Sequence, residues 1–373
     1  MSCILPPEIL DLVIDHLHDE RAALKTCCVV SKSWAPRTRS HLFARVELNA
    51  SRFHMDMWKR AFPDPSNSPA HYTSTLCVSN LQTLTITNRH VGSWIRTFRN
   101  VAHLEFLYVG PAALIPFYGL SPTVRSLRVA HSTAEVFDLI CSFPLLEDLA
   151  LVALSFKRRV DPWNPPPTSP KLTGSLNLRA LGTVPPVARR LLDIPGGLRF
   201  SNIKVVFSDN EAQSVRDLVL TCSDTLESLT TRYFPSGAFF QPPWLTSTSS
   251  LFAEAGIPGM VPHDLSKAMK LKRITFLQTT MGSTVQWITM ALQTVVSKNL
   301  RSITICVDRF VLVTVGEAAH QEWNDLDRLL VQFWNTHSIR PRVTRLVGKD
   351  MRDFAQSLLP ELTRRELVDL VGI

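Results

Sequence analysis

Glycine is scarce, at 14 of 373 residues, and no Gly-rich phosphate loop is present. There is no G-x-S-x-G and no H-E-x-x-H, so the usual hydrolase and zinc-protease signatures are missing. The seven cysteines are odd in number and scattered, with no C-x-x-C pair. That excludes a paired disulfide framework and describes buried thiols in a reducing compartment. No apolar run approaches the ~18 residues of a membrane helix. The N-terminus lacks the basic-then-apolar layout of a secretion signal, because Glu8, Asp11 and Asp15 interrupt it. These absences predict a protein of the cytoplasm and/or nucleus, with no membrane segment and no catalytic centre. They also predict no cofactor.

What is present is an ordinary globular composition, 45% hydrophobic and 19% charged. The length points to two or three units. The net charge is +8. The basic residues are dispersed, and the densest groups, Lys157-Arg158-Arg159 and Arg340-Pro341-Arg342, are small. A nucleic-acid footprint is normally clustered, so the pattern argues against that partner, although a basic nucleic-acid binder stays as an alternative. His16-x-His18 beside Asp19 and Glu20 is the nearest approach to a metal motif. That spacing sends the two rings to different sides of a helix, so no metal is expected. Cys28 lies in an apolar stripe, where a thiol is inert.

The first 46 residues are the densest in pattern. Pro6 and Pro7 fit a helix start, where a missing N–H costs nothing. Ile9, Leu10, Val13, Ile14 and Leu17 recur at helical spacing. Asp19 can cap a second helix carrying Leu24, Cys27, Cys28, Val30 and Trp34. Pro36 marks a break before a short helix from Arg37 to Phe43. Three short helices hold more apolar residues than they can bury alone, which points to a partner.

Leu5-Pro6-x-Glu8-Ile9-Leu10, Ile14, Leu17, Leu24 and Val30-Ser31-Lys32-Ser33-Trp34 together resemble the F-box. Arg39-x-His41-Leu42-Phe43-x-x-Val46 is similar to its end in large fungal families. The resemblance covers about residues 3–46. It implies a three-helix module that docks on the adaptor Skp1 and, through it, on a cullin in an SCF-type ubiquitin ligase. The Skp1-binding residues so implied are Leu5, Pro6, Ile9, Leu10, Ile14, Leu17, Leu24, Val30 and Trp34, with Leu5, Pro6 and Ile9 foremost for direct contact.

Behind this module the period shortens. Leu81-x-x-Leu84-x-Ile86, Val101-x-x-Leu104-x-Phe106, Val124-x-x-Leu127-x-Val129 and Leu146-x-x-Leu149-x-Leu151 recur about 20 to 23 residues apart, within the leucine-rich-repeat range. Leu271-x-x-Ile274-x-Phe276 and Leu300-x-x-Ile303-x-Ile305 repeat the frame, with weaker copies at Leu172-Leu176-Leu178, Ile203-Val205-Phe207 and Leu226-Leu229. A short strand with apolar residues at alternate positions buries one face only when neighbours stack on it. The recurrent Asn of regular leucine-rich repeats is missing, and the spacing lengthens later in the chain, so the expected solenoid is irregular.

The expected fold is therefore α/β. A three-helix F-box (1–48) and a transition (49–75) precede an irregular leucine-rich-repeat-like solenoid (76–315) and a helical C-terminal cap (316–373). The cap is read from the stripes Trp323, Leu326, Leu329, Leu330, Phe333 and Trp334, and Phe354, Leu358, Leu359, Leu362 and Leu367. Residues between the core leucines face the expected concave side. His103, Glu105, Arg128, Asp148 and Arg273 are the candidate target-binding residues there. Trp163 and Trp244, in Pro-rich insertions, are candidate aromatic anchors. The expected role is a non-catalytic substrate-recognition subunit holding a protein target of unknown identity. The alternative is a leucine-rich-repeat scaffold unconnected with ubiquitin.

Overall fold

The computed structural model describes residues 6–49, 57–58, 60–64, 68–80, 95–155, 163, 165–167, 169–179, 183–234, 264–279, 282–307, 317–345, 357–367 and 369–372. The chain divides into two compact units, Met1–Pro170 and Lys171–Ile373. Each is α/β, with strands that pair in parallel and in sequence order.

The first unit begins with helices α1 (Pro7–His16), α2 (Arg21–Val30) and α3 (Ala35–Leu42). Proline opens the first turn of α1 and of α3, where no N–H is required. Asp15 of α1 accepts a hydrogen bond from Arg37 Nε of α3 at 2.6 Å and lies 2.7 Å from His41 Nε2. The interior of this module is thin: among the described residues of its helices Ile14, Leu24, Cys27 and Thr38 are buried.

Five strands follow: β1 (Arg45–Asn49), β2 (Thr75–Ser79), β3 (His103–Leu107), β4 (Ser126–Ala130) and β5 (Asp148–Val152). They pair residue for residue without a shift. Each buries its second and fourth residues, from Val46 and Leu48 in β1 to Leu149 and Leu151 in β5. Among the described residues the return segments include 3-10 turns and a short helix, α4 (Val136–Cys141), whose Val136, Phe137, Leu139 and Ile140 are fully buried. Phe117 from a 3-10 turn meets Phe106 edge-on at 4.9 Å.

The repeat is written in backbone hydrogen bonds. Before each new strand one carbonyl accepts two consecutive N–H groups: Ala44 from Ser74 and Thr75, Ser74 from Ala102 and His103, Ala102 from Arg125 and Ser126, Arg125 from Glu147 and Asp148. Immediately after β2, β3, β4 and β5 stands a left-handed residue, Asn80, Tyr108, His131 and Ala153 in turn. The N–H groups of the first three donate to the last carbonyl of the following strand. The bend is therefore satisfied by main chain. Asn, Tyr, His and Ala all serve at that position, so the bend calls for no particular side chain.

The second unit alternates longer elements: β6 (Leu172–Arg179), α5 (Val184–Leu192), β7 (Leu198–Ser208), α6 (Ala212–Thr221), β8 (Ser228–Phe234), β9 (Arg273–Thr279), α7 (Gly282–Gln293), β10 (Ser302–Val307), α8 (Glu317–His337), β11 (Arg342–Arg345), α9 (Pro360–Arg364) and β12 (Asp369–Gly372). Gly174 adopts φ 79° where the register of β6 against β7 shifts, a backbone position glycine takes without steric cost. Trp287 of α7 lies in the core among Phe207, Tyr233 and Phe276, at ring separations of 5.5, 5.8 and 5.6 Å. Buried Glu211 accepts from the Val184 N–H at 3.1 Å and the Ser208 N–H at 2.8 Å, tying the start of α5 to the end of β7.

Two expectations need restating. The first expected repeat strand, Leu81 to Ile86, lies outside the described residues, and two strands that the sequence did not single out precede β3: β1 at the end of the expected F-box and β2 at the very start of the expected solenoid. The C-terminal stretch is more than a helical cap: beyond α8 the sheet continues through β11 and β12. Four-residue strands are too short for alternation to stand out in sequence. Among the described residues no helix is long and apolar enough to cross a membrane.

Candidate functional site

Two surfaces stand out. The first is on α1 and α2. Burial of Ile14 uses one side of α1, with Leu10 and Leu17 half-buried beside it. The other side holds Ile9, Leu12 and Val13, which remain 44, 56 and 49% exposed. On α2, Leu24 and Cys27 face inward while Val29 and Val30 stay 83 and 60% exposed. A helix that is apolar on its outer side as well as its inner side has somewhere further to pack. Of the residues implied by the F-box resemblance, Pro6, Ile9 and Val30 are exposed, Leu10, Leu17 and Trp34 half-buried, and Ile14 and Leu24 are core of the module itself. Leu5 lies outside the described residues. Leu12, Val13 and Val29 belong to the exposed set but were not among the candidates. The available signal was that Leu12 and Val13 fall three and four residues after Ile9.

The module is fastened to the strands behind it. Phe43, which caps the end of α3, stacks edge-on to Trp58 at 6.3 Å and to Phe62 at 6.4 Å, and Trp58 lies 5.9 Å from Phe98. β1 starts three residues after α3 ends.

The second surface is the open face of the strands. In the first unit the register aligns Thr75, His103, Ser126 and Asp148 in one row and Glu47, Cys77, Glu105, Arg128 and Ala150 in the next. His103, Arg128 and Asp148 are exposed and Glu105 is half-buried. Glu105 is the hub. Its carboxylate accepts from Cys77 Sγ at 2.9 Å and Arg45 Nη2 at 3.1 Å, with Arg128 Nη1 at 3.8 Å. Burial alone would raise this carboxyl, but the Cys77 hydrogen bond and the charges of Arg45 and Arg128 outweigh it and hold it below the usual range. The Cys77 thiol is pushed up to about 12 by burial and by the adjacent carboxylate, so it is no nucleophile.

Trp163 does not stand out as a free anchor. Its indole N–H donates to Asp138 Oδ1 at 2.8 Å and its ring lies 5.7 Å from Phe137, so the half-buried side chain is committed to α4. Arg273 is exposed at the start of β9 in the second unit. Trp244 lies outside the described residues. His18 of the His16-x-His18 pair bonds the Asp15 carbonyl at 2.9 Å and sits 3.0 Å from Asp19. Among the described residues no group of three His, Cys, Asp or Glu side chains could hold a metal ion. The chemistry these surfaces offer is non-covalent: apolar contact on the helices, charge and hydrogen bonding on the strands.

Set beside known proteins, the chain matches no family model and no curated protein.

Proposed function

We propose that this chain is the substrate-recognition subunit of an SCF-type ubiquitin ligase. In this reading α1–α3 form an F-box that docks on Skp1 and thereby on a cullin, and the strands form an irregular leucine-rich-repeat-like solenoid whose open face holds a target protein. The subunit breaks and makes no bonds. It raises the effective concentration of a target lysine near a charged ubiquitin-conjugating enzyme.

The observation that carries the proposal is the set of five large apolar side chains, Ile9, Leu12, Val13, Val29 and Val30, left exposed on two helices of a module with only a handful of buried residues. A partner that covers them completes a core the module cannot complete alone. The attachment of Phe43 to Trp58 and Phe62 supports the same role, because it fixes the docking helices to the segment between β1 and β2. The test is direct mixing of the full chain with purified Skp1. A complex that co-elutes on gel filtration at micromolar concentration is expected, and separate elution overturns the proposal.

A further inference from the structure

The strands of the two units differ sharply in charge. The first unit mixes signs on its strands, with Glu47, Glu105 and Asp148 among Arg45, His103 and Arg128. In the second unit β6 to β10 contain five cations, Arg179, Arg199, Lys204, Arg232 and Arg273, and not one Asp or Glu. The apolar alternate residues of these strands are buried, with Thr231 among them, so Asn177, Arg179, Lys204, Thr230, Arg232, Arg273, Thr275 and Thr304, which alternate with them, share the open face. The register makes rows of them. Asn177, Lys204, Thr230, Thr275 and Thr304 align in one, and Arg179, Val206 and Arg232 in another. Every member of the first row can donate a hydrogen bond. Glu227, the residue immediately before β8, is paired with Lys272 at 2.8 Å. On the far side an acid first enters the strands at Asp369 of β12, in register with Arg342. Among the described residues Arg179, Arg199, Lys204 and Arg273 take part in no ion pair.

From this we infer that the open face of β6–β10 is the binding site for an acidic polypeptide segment, rich in Asp and Glu and lying extended across the strands. The spread of charge selects this ligand. A single phosphate needs cations that converge, whereas these stand on four successive strands, β6 to β9. Five strands at about 4.8 Å spacing span about 19 Å, the length of about six extended residues. Several carboxylates in line along a chain match that layout, and the hydroxyl and amide rows supply further donors to them. The inference rests on reading the sheet as the target-binding part of the subunit. Its test does not involve Skp1, so its failure leaves the docking proposal standing.

The test uses the full chain and a fluorescent peptide of about ten residues, half of them Glu, read by anisotropy. Binding is expected and weakens steeply between low and moderate salt. Lys204→Glu together with Arg273→Glu is expected to weaken it at least about tenfold, with an unchanged far-UV spectrum because both side chains lie on the open face. Arg179→Glu with Arg199→Glu is the second pair, in case the first fails to fold. Affinity within about twofold of the parent in a folded variant overturns the assignment, as does a peptide affinity indifferent to salt. Tighter capture of an oligothymidylate of equal charge than of the acidic peptide also overturns it, in favour of nucleic acid.

Discussion

Replacing Ile9 and Val30 together by Asp separates docking from folding. Fully burying a Val or Ile side chain stabilises by about 1.5–3 kcal/mol relative to leaving it in water. With 44% of Ile9 and 60% of Val30 still open, a partner that covers both gains about 2 kcal/mol from them. The double substitution removes that gain and forces two carboxylates against an apolar partner, at about 1–3 kcal/mol each even with partial compensation. The sum is about 4 kcal/mol or more, roughly a thousandfold in Kd. Titration calorimetry of the full-length variant against purified Skp1 measures it. Because both residues face solvent in the free chain, the melting temperature should move by no more than about 2 °C. Ile14→Asp gives the contrasting signature: at 2% exposure it is core, so this change should unfold the module and abolish binding through instability. If the Ile9 and Val30 double variant is folded and binds within about threefold of the parent, the outer side of α1 and α2 is not the docking surface.

Asp15 titrates far below an ordinary carboxyl, first because Arg37 and then because His41 hydrogen-bonds to it. A depressed folded pKa means that its contribution is in full force above the unfolded value of about 3.9 and is lost as pH falls below it. Circular dichroism should show helix loss on acidification below about pH 4, with Asp15→Asn reducing that acid step; an identical acid profile in the variant would exclude Asp15 as its source. Glu211→Ala strands two N–H groups that its buried carboxylate satisfies, those of Val184 and Ser208. It should cost about 2–5 kcal/mol in urea unfolding, and a loss under about 1 kcal/mol contradicts the role of this bridge. The raised thiol of Cys77, at about 12, leaves about one part in ten thousand as thiolate at pH 8, so alkylation at this site should run roughly a thousandfold slower than at a free cysteine. Glu105→Gln should accelerate it, read by peptide mass spectrometry; an unchanged rate would remove Glu105 as a cause of the shift.

The sequence by itself determined the elements whose period is strong. The stripe through Leu10, Ile14 and Leu17 and the pairs Leu104 with Phe106, Leu127 with Val129 and Leu149 with Leu151 declare their structure because burial demands apolar side chains at fixed intervals. It also carried the surplus of apolar residues on α1. Which of those residues remain outside was decided only in three dimensions. Ile9, Val13 and Ile14 share one helical pattern, yet the placement of α2 and α3 buries Ile14 and leaves the other two open. The strand bends were hidden for a different reason: they are satisfied through main-chain groups and a left-handed residue, so Tyr108, His131 and Ala153 carry no common side-chain signal. Trp163 looked like an anchor because a sequence shows an aromatic among prolines but not the carboxylate of Asp138 that takes its N–H. Charge gave way in the same manner. Composition reported a scattered +8, and only strand register gathers Arg179, Lys204, Arg232 and Arg273 onto one face while pairing Arg45 and Arg128 with Glu105 in the first unit. Charges far apart in the chain become neighbours only through a register set by the hydrophobic side of each strand, because a shift of one residue would turn every side chain to the opposite face.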